Sequence, residues 1–233
     1  MMIDDYSEYS GIGLDEIVNN INNYSENISK DIIKFRSIVG DSLLYNSKNL
    51  IYDSIKLEFN IDKDKMVEKY KLFSPHMLSM IVNSNYKSLL DYMGLGTLSE
   101  LIKDIDESIK VTYTNVDSDI YNFIKWRFKK YNLDISVKEL SIDYLIQDSY
   151  DVIVSDGNLH LFSGKKQIEI VDSMVEKLNN NGLFCLLVDI SPANSNVLSY
   201  GVDIINIHSV LEQSDMICIY GRNTFSSIWK KII

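Results

Sequence analysis

Basic side chains are scarce in this sequence. Its 233 residues include Lys+Arg 23 against Asp+Glu 33, which gives a formal net charge of −10 at pH 7. Phosphate backbones and anionic membrane surfaces attract proteins through clustered Lys and Arg. We therefore expect neither a nucleic acid nor a membrane as partner. One basic run, Lys125, Arg127, Lys129 and Lys130, is predicted to be the solvated face of a helix.

Proline, glycine and cysteine are also few. With 2 prolines, 10 glycines and 45% hydrophobic residues, the composition excludes collagen-like and disordered chains and fits one globular domain. Cys185 and Cys218 lie within apolar runs, so we expect buried side chains rather than a disulfide. No apolar run is long enough to cross a bilayer, and the first residues lack the features of a secretory signal. We expect a cytoplasmic protein.

The front of the chain has a helical pattern. Ile17, Ile21, Ile28 and Ile32 recur near the helical period. We predict that residues 1–85 form a helical segment, which serves either as a lid or as a dimerisation segment.

After residue 85, short β-like runs alternate with helical ones, as in βαβ units around a parallel sheet. Helices are predicted over Leu98 to Ile105, Ile120 to Tyr131 and Gly164 to Leu178. The predicted strands are Ser88 to Tyr92, Lys110 to Asn115, Ile135 to Leu140, Val152 to Ser155, Leu183 to Val188, Ile204 to Ile207 and Met216 to Tyr220. Residues 86–233 are therefore expected to form an α/β core.

A glycine-containing turn follows the first predicted strand. Asp91 lies in that strand, and Gly94, Gly96 and Thr97 lead directly into a helical pattern. Such a turn lets the backbone approach a nucleotide-like ligand closely. Asp117, at the end of the second strand and 21 residues beyond Gly96, is at the spacing expected of a carboxylate that binds a ribose diol.

These residues resemble the class I S-adenosylmethionine-dependent methyltransferases over about residues 85–225. The resemblance has five landmarks in order: Leu89 to Thr97, Asn115 to Ser118, Glu139 to Asp143, Tyr150 to Phe162 and Leu178 to Phe184. It implies a Rossmann-like sheet, mostly parallel with an antiparallel last strand. The sequence departs from the family's acidic-x-Gly-x-Gly-x-Gly motif, because Asp91 lies three residues before Gly94 and the third glycine position is Leu98.

The resemblance also implies a site for S-adenosylmethionine. The methionine part would lie against the backbone from Gly94 to Thr97, near Asp91, and the ribose on Asp117. The adenine would lie near Ser118, Ser141 and Ile142. Asp156 and Asn158, in the loop after the fourth strand, would contact the amino group of the donor or the acceptor, although turn formation explains them equally well.

His160 is the candidate catalytic base, with Asp156 beside it in the same loop. The alternative for His160 is a structural role next to the following helix, and His76 and His208 are expected to be structural. Asp156 and Asp189 resemble a magnesium pair, but Ile190 stands where an Asn is usual. We predict no metal.

The sequence thus predicts a methyltransferase that acts at O or N of a small-molecule or peptide-like acceptor. Tyr6, Tyr9 and Tyr24 are candidates for a lid over that acceptor, whereas a homodimer through the N-terminal helices is the alternative for this segment. Two other functions stay open. Gly201 to Arg222 is faintly similar to nicotianamine-synthase-like enzymes, which transfer the aminocarboxypropyl group, and Leu98 suits a noncatalytic binding protein with the same fold.

Overall fold

The structure is a computed structural model that describes part of the chain. The described residues are 2–20, 77–94, 96–115, 118–140, 145–156, 159, 162, 164–187, 202–222 and 226–232, without the side chains of Ser118 and Asp156. Most of the predicted helical segment 1–85, including Tyr24 and His76, lies outside these residues.

A seven-stranded sheet forms the centre of the molecule, with strand order β3-β2-β1-β4-β5-β7-β6. The strands are β1 (Ser88–Tyr92), β2 (Lys110–Asn115), β3 (Ile135–Glu139), β4 (Tyr150–Asp156), β5 (Leu178–Leu187), β6 (Met216–Tyr220) and β7 (Ser226–Lys231). The first five strands pair in parallel, and β7 runs antiparallel to both β5 and β6. The expected mostly parallel sheet with an antiparallel last strand is confirmed.

Helices flank this sheet. They are α1 (Met2–Ser10), α2 (Met77–Val82), α3 (Thr97–Ile105), α4 (Ser118–Lys130), α5 (Gly164–Glu176) and α6 (Ile204–Gln213), and residues 14–20 are also helical. The three helices predicted in the core are confirmed as α3, α4 and α5, with ends that differ by two residues or fewer. None of the described helices is long and apolar enough to span a membrane.

The predicted strand from Ile204 to Ile207 is wrong, because these residues begin α6. The side chain of Asp203 caps this helix by accepting a hydrogen bond from the backbone N–H of Asn206. Ile207, His208 and Leu211 are the buried residues of the helix, at a helical rather than an alternating spacing. The sequence pattern also missed β7 as an individual strand.

The described N-terminal residues share one hydrophobic core with the sheet. Ile3 of α1, Ile17 and the α2 residues Met77 and Ile81 are buried in the same cluster as Leu89 and the other strand residues. The described parts of the N-terminal segment therefore pack directly on the α/β core.

Candidate functional site

The candidate site lies where the direction of the strand order reverses. From β1 the chain first adds β2 and β3 on one side and then returns to add β4 and β5 on the other. Tyr92 of β1 is paired with Ser155 of β4, so the turn after Tyr92 and the end of β4 at Asp156 lie at the same carboxyl edge. In open α/β sheets, ligands bind in the crevice at this switch point.

The turn after β1 begins at Met93, which has a φ of 62° and is buried. Its backbone N–H still donates to the Thr114 carbonyl at 2.8 Å, so the chain leaves the sheet immediately after this bond. If the acidic-x-Gly-x-Gly-x-Gly motif is aligned on Asp91 instead of on Gly94 and Gly96, its first glycine position is Met93. The left-handed conformation is present although the glycine is not.

Gly96 precedes α3 as its N-cap residue, with a φ of 75°. A Cβ atom at Gly96 would lie 2.8 Å from Phe128 Cζ and 2.9 Å from Ile124 Cγ2, both on α4. Glycine is therefore required here by the backbone conformation and by the packing of α4 against the turn. The glycine signal in the sequence thus has a structural cause within the protein, whether or not a ligand approaches the turn.

Asp91 connects β1 to the start of α3. Its carboxylate is fully buried, and Oδ2 accepts hydrogen bonds from Ser99 Oγ at 2.7 Å and from Ser99 N at 3.3 Å. Ser99 N is one of the first amides of α3, which Gly96 cannot cap because it has no side chain. Asp91 therefore caps α3 from the neighbouring strand β1.

Two residues of β2 fix the carbonyl group of Gly94. The Tyr113 hydroxyl donates to Gly94 O at 2.8 Å, and Asn115 Nδ2 donates to the same oxygen at 3.3 Å. Asn115 Nδ2 also lies 2.9 Å from Tyr113 Oη, to which it donates. Tyr113 and Asn115 are not among the site residues predicted from the sequence. The pattern that could have indicated them is their position two residues apart, which places both on one face of β2 where that strand ends beside the turn.

The structure brings six of the predicted site residues to the carboxyl edge of the sheet. They are Asp91, Gly94, Gly96, Thr97, Ser118 at the first position of α4 and Asp156 at the last position of β4. Asp117, Ser141, Ile142, Asn158 and the candidate base His160 lie outside the described residues, and so does Asp189. No group of three or more His, Cys, Asp or Glu side chains arranged to hold a metal ion occurs among the residues that are described.

An ion-pair cluster joins α1 to α4 beside this site. Asp5 Oδ2 lies 2.7 Å from Arg127 Nε, and Asp5 Oδ1 lies 2.8 Å from Lys130 Nζ. The Tyr131 hydroxyl donates to Asp5 Oδ1 at 2.7 Å. Arg127 is buried, which corrects the expectation that the basic run around it is entirely solvated, whereas Lys125 and Lys129 are exposed as expected.

This cluster keeps Asp5 ionised. Burial by itself raises the pKa of Asp5, but hydrogen bonds from Lys130, Tyr131 and Arg127 outweigh it and lower the pKa below its ordinary value. The hydrogen bond to Asp5 is also the main reason that the pKa of Tyr131 is raised. The contact between α1 and α4 is thus built on a carboxylate that stays charged at neutral pH.

Aromatic rings complete the contact between these helices. Tyr6 packs edge-on against Phe123, with ring centroids 5.2 Å apart, and Tyr9 lies 5.5 Å from Phe123 and from Trp126. Tyr6 is buried. Both tyrosines therefore pack on α4.

His208 is buried in α6, a position that corrects the expectation that it follows a strand. Its Nε2 lies 3.3 Å from Ser227 Oγ, and its ring lies 5.1 Å from the ring of Trp229. Burial lowers the pKa of His208. The charge of Glu212 raises this pKa, whereas the charge of Arg222 lowers it further. These contacts support the expected structural role.

Both cysteines are free thiols. Cys185 is fully buried in β5, and its burial raises the pKa of the thiol to about 12. Cys218 is partly buried, and its Sγ donates to the Tyr220 carbonyl at 3.2 Å.

No family model matches this sequence, and no curated protein matches it. Solved structures do. The plantazolicin methyltransferase BpumL, solved with a pentazolic desmethylPZN analog and S-adenosylhomocysteine (SAH), is 12% identical, with a TM-score of 0.57 over 92% of this chain and 99% of its own. The PH0226 protein from Pyrococcus horikoshii OT3 is 10% identical, with a TM-score of 0.57 over 76% of this chain and 98% of its own.

An O-methyltransferase family protein from Burkholderia thailandensis is 12% identical, with a TM-score of 0.52 over 77% of this chain. This chain spans 63% of the length of that protein. At such identities the likeness shows the fold: the protein has the Rossmann-like fold of the S-adenosylmethionine-dependent methyltransferases.

Proposed function

We propose that the protein is an S-adenosylmethionine-dependent methyltransferase that modifies O or N of a small-molecule or peptide-like metabolite in a biosynthetic reaction. The observation that carries the proposal is the turn from Met93 to Gly96, which starts α3 at the switch point of a methyltransferase-like sheet. Support comes from solved structures with this fold, which include an O-methyltransferase family protein and a methyltransferase in complex with SAH.

The residues at this edge suit the chemistry of the donor. The carboxylate of its methionine part is favoured near the N-terminus of α3, where backbone amides and the helix dipole are positive. The backbone from Gly94 to Thr97 would hold this part. Asp117 would accept hydrogen bonds from the ribose hydroxyls, and Ser118, Ser141 and Ile142 would contact the adenine.

S-adenosylmethionine supplies an electrophilic methyl group, so the protein mainly has to orient the acceptor and exclude water. A hydroxyl or amine acceptor also loses a proton. Asp156, the last residue of β4, or His160, four residues further along the chain, would accept that proton. Asn158 would bind the donor or the acceptor in the same loop.

The N-terminal segment would cover the acceptor. Tyr9, late in α1, contacts Phe123 early in α4, whereas Asp5 contacts Lys130 at the end of α4. The two helices are therefore antiparallel, and the chain leaves α1 on the side where α4 begins, which is the carboxyl edge. This direction favours a lid in residues 1–85 over the alternative of a homodimer segment, and measurement of the solution mass separates the two.

Calorimetric titration with S-adenosylmethionine and SAH tests the donor site. We expect micromolar binding, about −8 kcal/mol, and a loss of about tenfold or more in affinity for Asp117→Ala. Asp172→Ala, on an exposed position of α5, is the matched control and should bind like the wild type. Absence of binding by the folded wild-type protein would refute the proposal.

The nucleoside product distinguishes the remaining functions. Methyl transfer converts S-adenosylmethionine to SAH, whereas aminocarboxypropyl transfer leaves methylthioadenosine. A binding protein without catalysis yields neither product, even with an extract of candidate acceptors. Chromatography of the reaction mixture therefore assigns the reaction class before the acceptor is known.

A further inference from the structure

Within the described part of the chain, one polar cluster outside the turn spans three helices. It consists of five charged side chains with alternating sign, and we name it the α1 cluster: Glu8 and Asp5 of α1, Lys130 and Arg127 of α4, and Glu100 of α3. Its central pair is buried, because Asp5 is 2% and Arg127 is 9% exposed. A buried pair of this kind holds its elements in one geometry, since loss of either partner leaves an uncompensated charge.

Arg127 binds two carboxylates on two different helices. Its Nε lies 2.7 Å from Asp5 Oδ2, and its Nη1 is hydrogen-bonded to Glu100 Oε1. The planar guanidinium has several donors in a fixed arrangement, which a lysine ammonium does not reproduce. The orientation of Arg127 toward α3 is therefore set in part by α1.

Glu100 lies in the first turn of α3. Its backbone N–H donates to Gly96 O at 3.0 Å, the first helical hydrogen bond after the turn. Without a cation beside it, the negative charge of Glu100 would offset the positive potential at the N-terminus of α3. It would also repel an anionic ligand group bound there. Arg127 neutralises this charge, and its neighbour Phe128 packs against Gly96.

We propose that Arg127 is a positioning residue for the donor site, and that Asp5 holds it there, so that docking of α1 and binding of the donor strengthen each other. The proposal rests on the proposed function, since it assumes that the donor binds at the N-terminus of α3. It makes the N-terminal helix part of the donor site in energetic terms, through the contacts of α1 with Arg127 and of Phe128 with Gly96.

The affinity for SAH, measured by calorimetry, tests this coupling. Asp5→Asn removes the charge that orients Arg127, and we expect SAH to bind about fivefold or more weakly. Glu8→Gln is the matched control: it removes the other α1 carboxylate from Lys130, at a side chain that is 59% exposed, and leaves Arg127 untouched. This variant should bind SAH like the wild type.

Because coupling is reciprocal, saturating SAH must also stabilise the docked α1 in the unmodified protein. Endoproteinase Glu-C cleaves after Glu8 only when α1 opens locally. We expect saturating SAH to slow this cleavage by the factor by which α1 docking strengthens SAH binding. This measurement uses the wild-type chain and therefore decides the question even if Asp5→Asn does not fold.

The outcomes separate the two proposals. If the wild type binds SAH but cleavage after Glu8 is unchanged by SAH, the coupling is refuted while the proposed function stands. Equal affinities of folded Asp5→Asn and Glu8→Gln also refute it. If the wild type does not bind SAH at all, the proposed function fails, and the coupling fails with it.

Discussion

At position 96, both the backbone conformation and the space around the residue require glycine. The φ of 75° is costly for any residue with a Cβ, and the position that a Cβ would take is already occupied by Phe128 and Ile124 of α4. These two effects add, since rotating the backbone to relieve one does not open space for the other.

We therefore expect Gly96→Ala to lower the free energy of unfolding by about 2–4 kcal/mol, measured by urea denaturation. Gly13→Ala is a suitable control, because no heavy atom lies within 4 Å of a Cβ at Gly13. It should change stability by less than about 0.5 kcal/mol. Equal stability of the two variants would show that α4 does not pack on the turn as described.

Asp91 and Met93 explain how this turn can depart from the usual glycine pattern. Asp91 caps α3 through Ser99, a role that depends on the strand and the helix rather than on a particular glycine. Met93 adopts the conformation expected of a glycine and is held by its hydrogen bond to Thr114. Glycine spacing alone therefore does not identify every residue of this turn that has a left-handed conformation.

At the scale of elements, His208 links α6 to β7. Its pKa is lowered, so the folded protein binds a proton less readily than the unfolded chain, whose histidine titrates near 6.5. Between the two pKa values the unfolded state holds more protons, and the free energy of unfolding falls as the pH drops through this range. The stabilisation is fully present only above about pH 6.5.

We predict that His208→Gln, which retains a donor and an acceptor for Ser227, removes this part of the pH dependence. Urea denaturation between pH 5 and pH 7 measures it. The wild type should lose stability toward pH 5 with a steeper slope than the variant. Parallel slopes would mean that His208 is not responsible.

The central strands β1 and β2 were predicted with their observed ends. Leu89, Leu90 and Tyr92 form a short apolar stretch in β1, and Val111 and Tyr113 alternate with polar residues in β2. The start of α6 was mistaken for a strand, because its isoleucines are β-branched and the capping role of Asp203 is visible only once Asn206 is recognised as the third helical residue. β7 was missed because its two apolar residues, Ile228 and Trp229, are adjacent and lie between serines and lysines, which gives neither an alternating pattern nor a longer apolar run.

The site could be predicted only in part. Gly96 and Asp91 were found because local turns and strand ends leave a signal in adjacent residues. Tyr113, Asn115 and Arg127 were not, because their partners lie 19, 21 and 122 residues away along the chain. Contacts over such distances depend on strand order and helix packing, which periodicity does not encode.

For the whole molecule, polar groups are hydrogen-bonded at both the amino and the carboxyl edge of the sheet. At the amino edge, polar groups are engaged with one another: Asp151 Oδ2 accepts hydrogen bonds from Lys87 N at 2.7 Å and from Ser88 N at 3.0 Å, and Asn179 donates to Asp151 Oδ1 at 2.8 Å. At the carboxyl edge lie the turn of Gly94, the start of α3 and the ends of β2 and β4. We assign ligand binding to the carboxyl edge, at the switch point of the strand order.

Amide hydrogen exchange of the wild-type protein, with and without saturating SAH, tests this assignment most directly. The account predicts slower exchange in residues 93–99 and at the start of α4, and no change around Lys87 and Asn179 at the opposite edge. Protection confined to the amino edge, or no protection at either edge, would contradict it.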